Sequence, residues 1–70
     1  MFWWFERKGD YLRCEVLQLA CDKYELRVID AKGTERIEEF ADASDLARRQ
    51  HLVVAELAAA GWSGPHGWVL

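Results

Sequence analysis

The alternation of apolar and polar side chains at the start of the chain predicts a β-hairpin. A two-residue loop at Lys8-Gly9 pairs Phe5 with Leu12, and Gly9 suits the positive φ that such a turn requires. Because side chains alternate between the two faces of a strand, a slip by one residue would turn the apolar set outward, so the register is strongly specified. The apolar face of the hairpin comprises Met1, Trp3, Phe5, Leu12, Cys14 and Val16.

The opposite face of this hairpin is also rich in aromatic side chains. It carries Phe2, Trp4 and Tyr11 beside Arg13. Trp4 faces Arg13, which predicts a cation–π pair worth about 0.5–1 kcal/mol if it is exposed. Three interpretations stay open: cross-strand packing that only stabilises the sheet, a protein interface, and a stacking platform for single-stranded nucleic acid.

Two further hairpins are predicted after the first. The adjacent apolar residues Val16-Leu17 indicate a β-bulge that keeps Leu17 and Leu19 in the core. A turn at Asp22-Lys23 then pairs Cys21 with Tyr24, Leu19 with Leu26 and Leu17 with Val28. Residues 30–33 have Asp early and Gly late, as turns prefer. A charged strand over residues 34–40 suits a sheet edge.

A helix follows, with Asp42 as its N-cap and Asp45 near its positive end. Gly61 is the expected left-handed residue after the helix, and Trp62 completes a Schellman motif. Leu52 is an apolar residue on the charged side of the helix. Together with Ala55 and Ala59 it offers a second contact surface. The predicted apolar face of the helix comprises Leu46, Gln50, Val53, Val54, Leu57 and Ala58.

The ββββα order predicts an α+β fold: a four-stranded antiparallel meander with one C-terminal helix packed on one face. A helix of about 18 residues, roughly 27 Å long, crosses the sheet but leaves the other face uncovered. Residues 1–62 form the predicted domain and residues 63–70 a flexible tail, whose Trp68 either frays or docks on a partner. A domain of 70 residues buries only about 60% of its unfolded surface.

Composition narrows the classes of function. Lys and Arg number 9 against 12 Asp and Glu, for a net charge of −3, which argues against a dominant phosphate-binding role. The N-terminal apolar run ends at Phe5 and no run approaches the ~20 residues of a membrane helix. A cytoplasmic protein with two reduced, buried thiols, Cys14 and Cys21, is the expectation.

Neither catalysis nor metal binding is indicated. A nucleophilic site needs Cys or Ser beside His and a carboxylate, but His51 is placed on the helix and His66 in the tail. The glutamates interleave with Arg and Lys on exposed strands, and two separated histidines make no zinc set. The sequence predicts no catalytic residue, cofactor or metal ligand.

A group of short bacterial proteins with this layout and no assigned activity resembles this chain in the runs Tyr11-Leu-Arg-Cys-Glu-Val, Tyr24-Glu-Leu-Arg-Val, Gly33-Thr-Glu-Arg-Ile-Glu-Glu-Phe, Leu46-Ala-Arg-Arg-Gln and Gly61-Trp62. The resemblance covers about residues 10–62 and implies the fold alone. The element order is also similar to the single-stranded-DNA-binding coactivator and Whirly group, which dimerises through its helices. The strands here lack the strongly basic character of that group.

We therefore expect a non-enzymatic interaction module that self-associates or binds another protein, with no membrane partner. Single-stranded nucleic-acid binding through the sheet-face aromatics is the alternative, which the neighbouring acidic residues disfavour. The predicted contact residues are Phe2, Trp4, Tyr11, Arg13, Leu52 and Trp68.

Overall fold

The computed structural model describes residues 1–67 and confirms the α+β class. A five-stranded antiparallel sheet has the order β4-β3-β2-β1-β5. The first four strands form the predicted meander and the helix follows them. The elements are β1 (Phe2–Arg7), β2 (Asp10–Ala20), β3 (Lys23–Ile29), β4 (Glu35–Phe40), α1 (Ala43–Ala59) and β5 (Ser63–His66).

The first hairpin has the predicted register. Phe5 pairs with Leu12 and Trp3 with Cys14 across the two-residue turn. Lys8 and Gly9 both have positive φ, 50° and 84°, which is the backbone twist that two-residue hairpins require. Trp3, Phe5, Leu12 and Cys14 join Leu26 of β3 and the helix residues Leu46 and Val53 in one buried core. Met1, predicted on the same face, is exposed.

The second hairpin differs from its predicted register. Val16 pairs with Leu26, and the irregularity in β2 lies between Gln18 and Ala20, so the predicted bulge at Val16-Leu17 is wrong. This register keeps β2 regular where it pairs with both neighbours, so the same inward residues serve both hairpins. The extra residue is absorbed beside the turn. The predicted pairs Leu17–Val28, Leu19–Leu26 and Cys21–Tyr24 are replaced, and Leu17, Leu19 and Cys21 are exposed.

Both ends of α1 have the predicted caps. The Asp42 carboxylate accepts a hydrogen bond from the Ser44 backbone N–H at 2.8 Å. At the other end, the N–H groups of Trp62 and Gly61 donate to the carbonyls of Leu57 and Ala58 at 2.9 and 3.1 Å. This pair of bonds is the Schellman arrangement. Ala58, predicted on the apolar face, is exposed.

Ser63–His66, which the sequence placed in the tail, forms β5 and pairs with β1. The Schellman turn reverses the chain and sends it back along the sheet edge. Arg7 secures this return: its guanidinium donates to the Ala60 carbonyl at 3.0 Å and lies 4.6 Å from the centre of the Trp62 ring. The predicted docking residue Trp68 lies outside the described residues.

Within residues 1–67, no helix combines the length and the apolar character that crossing a membrane demands.

The observed pairing of β2 with β3 predicts different losses of stability for a leucine-to-alanine substitution at two positions. Leu26→Ala should lower the free energy of unfolding by about 2–5 kcal/mol, because Leu26 is 1% exposed and its removal leaves a cavity. Leu19→Ala should cost less than about 0.5 kcal/mol, since Leu19 is 49% exposed. Urea unfolding measures both. Equal losses would instead favour the register in which these leucines face each other.

The helix N-cap predicts a pH dependence of stability. Hydrogen bonds from Ser44 lower the pKa of Asp42, so the folded-state pKa lies below the unfolded value of about 3.9. The resulting stabilisation is present above the unfolded pKa and is lost as pH falls through the folded one. Asp42→Asn keeps an acceptor but no charge. Thermal unfolding should find wild type more stable than Asp42→Asn at about pH 6, with the difference shrinking as pH falls below the unfolded pKa; a constant difference would contradict this origin.

Candidate functional site

The sheet has one face that α1 does not cover, which we call the outer face. The strand registers place every second residue of β1 to β4 on it, because side chains alternate along a strand. Its apolar members include several exposed side chains, and its polar members are mostly charged. The outer face comprises Phe2, Trp4, Glu6, Tyr11, Arg13, Glu15, Leu17, Lys23, Glu25, Arg27, Ile29, Glu35, Ile37 and Glu39.

Three rings follow one another at the β1 and β5 side of the outer face. The ring centres of Phe2 and Trp4 are 5.8 Å apart, with 33° between the ring planes. His66 continues the row, 6.0 Å from Trp4 at 37°. These separations lie in the range of favourable aromatic contacts. The segment around His66 contains Gly and Pro and carries no strand signal, so the sequence predicted a flexible tail there and no contact for His66.

Trp4 is packed more tightly than the sequence suggests. A Cβ added at Gly67 would collide with its indole ring, and one at Gly64 would lie 2.9 Å from its carbonyl oxygen. The backbone of β5 and the residue after it therefore lie directly against Trp4, which is partly buried. Phe2 and Tyr11 remain exposed, Tyr11 at 58%, and present more surface to a partner than Trp4 does.

Arg13 stacks on a different ring from the one predicted. Its guanidinium lies 5.4 Å from the centre of Phe2, so the predicted Trp4–Arg13 contact is replaced. The cause is Glu15, which lies beside Arg13 on the same face and opposite Phe2 on β1. An ion pair of 3.5 Å between Arg13 and Glu15 draws the guanidinium along β2 toward Phe2.

The middle of the outer face contains a second ion pair. Arg27 donates to Glu25 at 2.9 Å, and Glu25 is only 8% exposed. Ile37, which pairs with Arg27 on β4, and Leu17, which pairs with Glu25 on β2, flank it with exposed apolar surface. Because these charges compensate one another within the chain, the apolar side chains dominate what a second molecule would contact there.

The remaining predicted contact residues lie elsewhere. Leu52 is 55% exposed on α1, in the helical layer, so the fold does not bring it together with Phe2, Tyr11 and Arg13. Ala55 and Ala59 beside it are exposed too. Trp68 lies outside the described residues. The predicted contact residues that the structure describes thus lie partly on the sheet and partly on the helix.

The groups with chemical reactivity are scattered. Burial raises the pKa of the Cys14 thiol to about 11, so it holds its proton at neutral pH. Cys21, predicted buried, is exposed at the β2–β3 turn. The His66 Nε2 and Ser63 Oγ atoms are 3.3 Å apart on exposed β5. In the part of the chain that the structure describes, no three His, Cys, Asp or Glu side chains are placed to hold a metal ion.

The two cysteines should differ in thiol reactivity. Cys21 should react with a thiol-specific reagent in the native protein at neutral pH, whereas Cys14 should react only after unfolding, because the attacking species is the thiolate. Cys21→Ser should therefore abolish the native reaction. Fast modification of two thiols without denaturant would contradict the burial of Cys14.

The contact between Gly67 and Trp4 can be tested with two alanine substitutions. Gly67→Ala and Gly33→Ala both place a Cβ at positive φ, 69° and 85°, and share that backbone strain. Only Gly67→Ala also collides with Trp4, since the space around Gly33 is open. Near-ultraviolet circular dichroism should change for Gly67→Ala and stay as in wild type for Gly33→Ala. Identical spectra for both variants would contradict the packing of Gly67 on the indole.

No protein-family model matches this chain, and neither the curated proteins nor the solved structures contain a significant match to it.

Proposed function

We propose that this protein is a non-enzymatic interaction module in which two copies associate through their outer faces. The observation that carries the proposal is the exposure of large apolar side chains on one continuous sheet face. Four of them, Phe2, Tyr11, Leu17 and Ile37, are each more than two-fifths exposed. Aromatic residues and arginine are enriched at the cores of protein interfaces, and Arg13 lies on Phe2 in the same surface.

The size of the outer face supports association. The chain measures 38 × 21 × 19 Å along its principal axes. The product of the two longest extents is about 800 Å², the same scale as the ~800 Å² that each partner buries in a standard interface. The molecule is therefore broad enough on one side for an interface of standard size. Such burial would also supplement the small core of a 70-residue domain.

The charges on the outer face suit a protein partner better than a polyanion. Three of its glutamates, Glu15, Glu25 and Glu39, each lie within ion-pair distance of a basic residue. Glu6 and Glu35 have no such partner within residues 1–67. Most carboxylates of the outer face are thus compensated within the chain, which agrees with the depletion of charged residues at the cores of protein interfaces.

Self-association can be measured by sedimentation equilibrium on wild type and three glutamate variants. Tyr11→Glu and Ile37→Glu each introduce a charge at an exposed outer-face position on a different strand. Leu52→Glu introduces the same charge at a similarly exposed position on α1 and is the control. We expect wild type and Leu52→Glu to be dimers and the two outer-face variants to be monomers, because an unpaired charge is costly to bury.

Two results would reject this assembly. A wild-type monomer at every concentration would exclude self-association. Dissociation by Leu52→Glu, with Tyr11→Glu and Ile37→Glu still dimeric, would move the interface to the helix. Circular dichroism on each variant verifies that the fold is retained.

Single-stranded nucleic-acid binding is the second candidate, favoured by the aromatic row Phe2, Trp4 and His66 with Arg13 beside it. Bases stack on such platforms largely without sequence preference. Fluorescence anisotropy with a labelled single-stranded oligonucleotide tests it. Binding that weakens with salt and with Phe2→Ala would support this candidate, and a flat titration at low salt would eliminate it.

A further inference from the structure

A cavity of about 220 Å³ lies on the opposite side of the sheet, between α1 and strands β2 to β4. Its apolar walls come from both layers. Strands β2 and β3 contribute Leu12, Leu26 and Val28, and the helix contributes Val53 and Leu57. The cavity therefore exists because α1 and the sheet do not pack fully together at this side. The cavity and the aromatic row of Phe2, Trp4 and His66 therefore lie on opposite faces of the sheet.

The volume limits what can occupy the cavity. Apolar cavities of about 150 Å³ stay dry and bind benzene, while pockets for drug-sized ligands begin near 300 Å³. A space of about 220 Å³ therefore fits one aromatic ring or a short aliphatic chain together with a small polar group. Contact with five apolar side chains would provide the driving force.

Three acidic side chains also line the cavity, and each has a contact within the chain. Glu38 accepts from the Arg49 guanidinium at 2.9 Å, and Glu56 lies 3.7 Å from the same group. The Asp30 carboxylate accepts from two backbone N–H groups, those of Lys32 and Thr34, at 2.9 Å each. Arg49 therefore holds Glu38 and Glu56, and the turn after β3 holds Asp30.

One cation of the cavity wall has no such partner. Arg36 of β4 lines the cavity, and within residues 1–67 it makes no ion pair or side-chain hydrogen bond. Its guanidinium has donors in a fork that matches a carboxylate in two parallel hydrogen bonds. The Thr34 hydroxyl, also on the wall, adds a further donor.

We propose that this cavity binds a small monocarboxylate with a compact apolar body. The apolar body lies among Leu12, Val53 and Leu57, and the carboxylate pairs with Arg36 at the mouth. The cavity and the outer face belong to different sides of the sheet, so this site does not depend on the proposed dimer.

The test is an NMR titration of ¹⁵N-labelled full-length protein with ligands that share an apolar body and differ in their polar group and its charge. Phenylacetate, 2-phenylethanol and 2-phenylethylamine share a phenyl ring and a two-carbon chain. We expect phenylacetate to produce saturable shifts at Leu12, Val53 and Arg36 with a Kd of about 1 mM or lower. The alcohol should bind about tenfold more weakly and the amine more weakly still, because only the carboxylate matches the guanidinium. Sodium acetate, which has the charge without the ring, should not saturate.

Two substitutions locate the site. Arg36→Gln should weaken phenylacetate binding about tenfold, while the matched Arg48→Gln, on the exposed side of α1, should leave it unchanged. Leu57→Phe should occupy the cavity and reduce binding of the alcohol as well as the acid. The proposal is overturned by any of three results: no saturable shifts, equal affinity for the amine and the acid, or shifts confined to the outer face. The spectrum of each variant reports whether it is folded. Arg36→Gln changes an exposed side chain, so its effect on binding can be interpreted even where Leu57→Phe does not fold.

Discussion

The register of β2 against both of its neighbours is the constraint on which the rest of the structure depends. Cys14 pairs with Trp3 on one side and Val28 on the other, so a single set of inward side chains must serve two hairpins. Apolar burial at about 25 cal/mol per Å² makes any slip of this strand costly, because a shift of one residue would expose the core side chains of both hairpins. Leu26 joins the same core from β3.

The return of the chain after α1 depends on a smaller set of contacts. The Schellman hydrogen bonds end the helix, and Arg7 ties the new direction to β1 through the Ala60 carbonyl and the Trp62 ring. The chain is thereby held beside β1, where its backbone pairs as β5. This edge strand brings His66 against Trp4. His66 thus adds a third ring to the row that Phe2 and Trp4 begin.

The two sides of the sheet have different chemical characters for a common reason. One helix covers one face, and residues that alternate with the core must point to the other. On the outer face, ion pairs such as Glu25–Arg27 compensate charge between exposed apolar side chains. On the helical side, the space that α1 leaves open is lined by apolar side chains together with charged ones that include Arg36. The proposed contact surface and the proposed ligand cavity both follow from covering five strands with a single helix.

The sequence by itself determined the first hairpin, the helix with both caps and the α+β class, because turn geometry, 3.6-residue periodicity and capping are local. It also determined that Phe2 and Tyr11 point away from the core. Only the tertiary structure decided that Leu17 lies outside, because Val16-Leu17 fits either register until β2 must pair on two sides. It likewise decided that His66 joins Trp4 and that Arg13 stacks on Phe2 rather than Trp4. Those contacts join residues brought together by neighbouring strands, which no local pattern specifies.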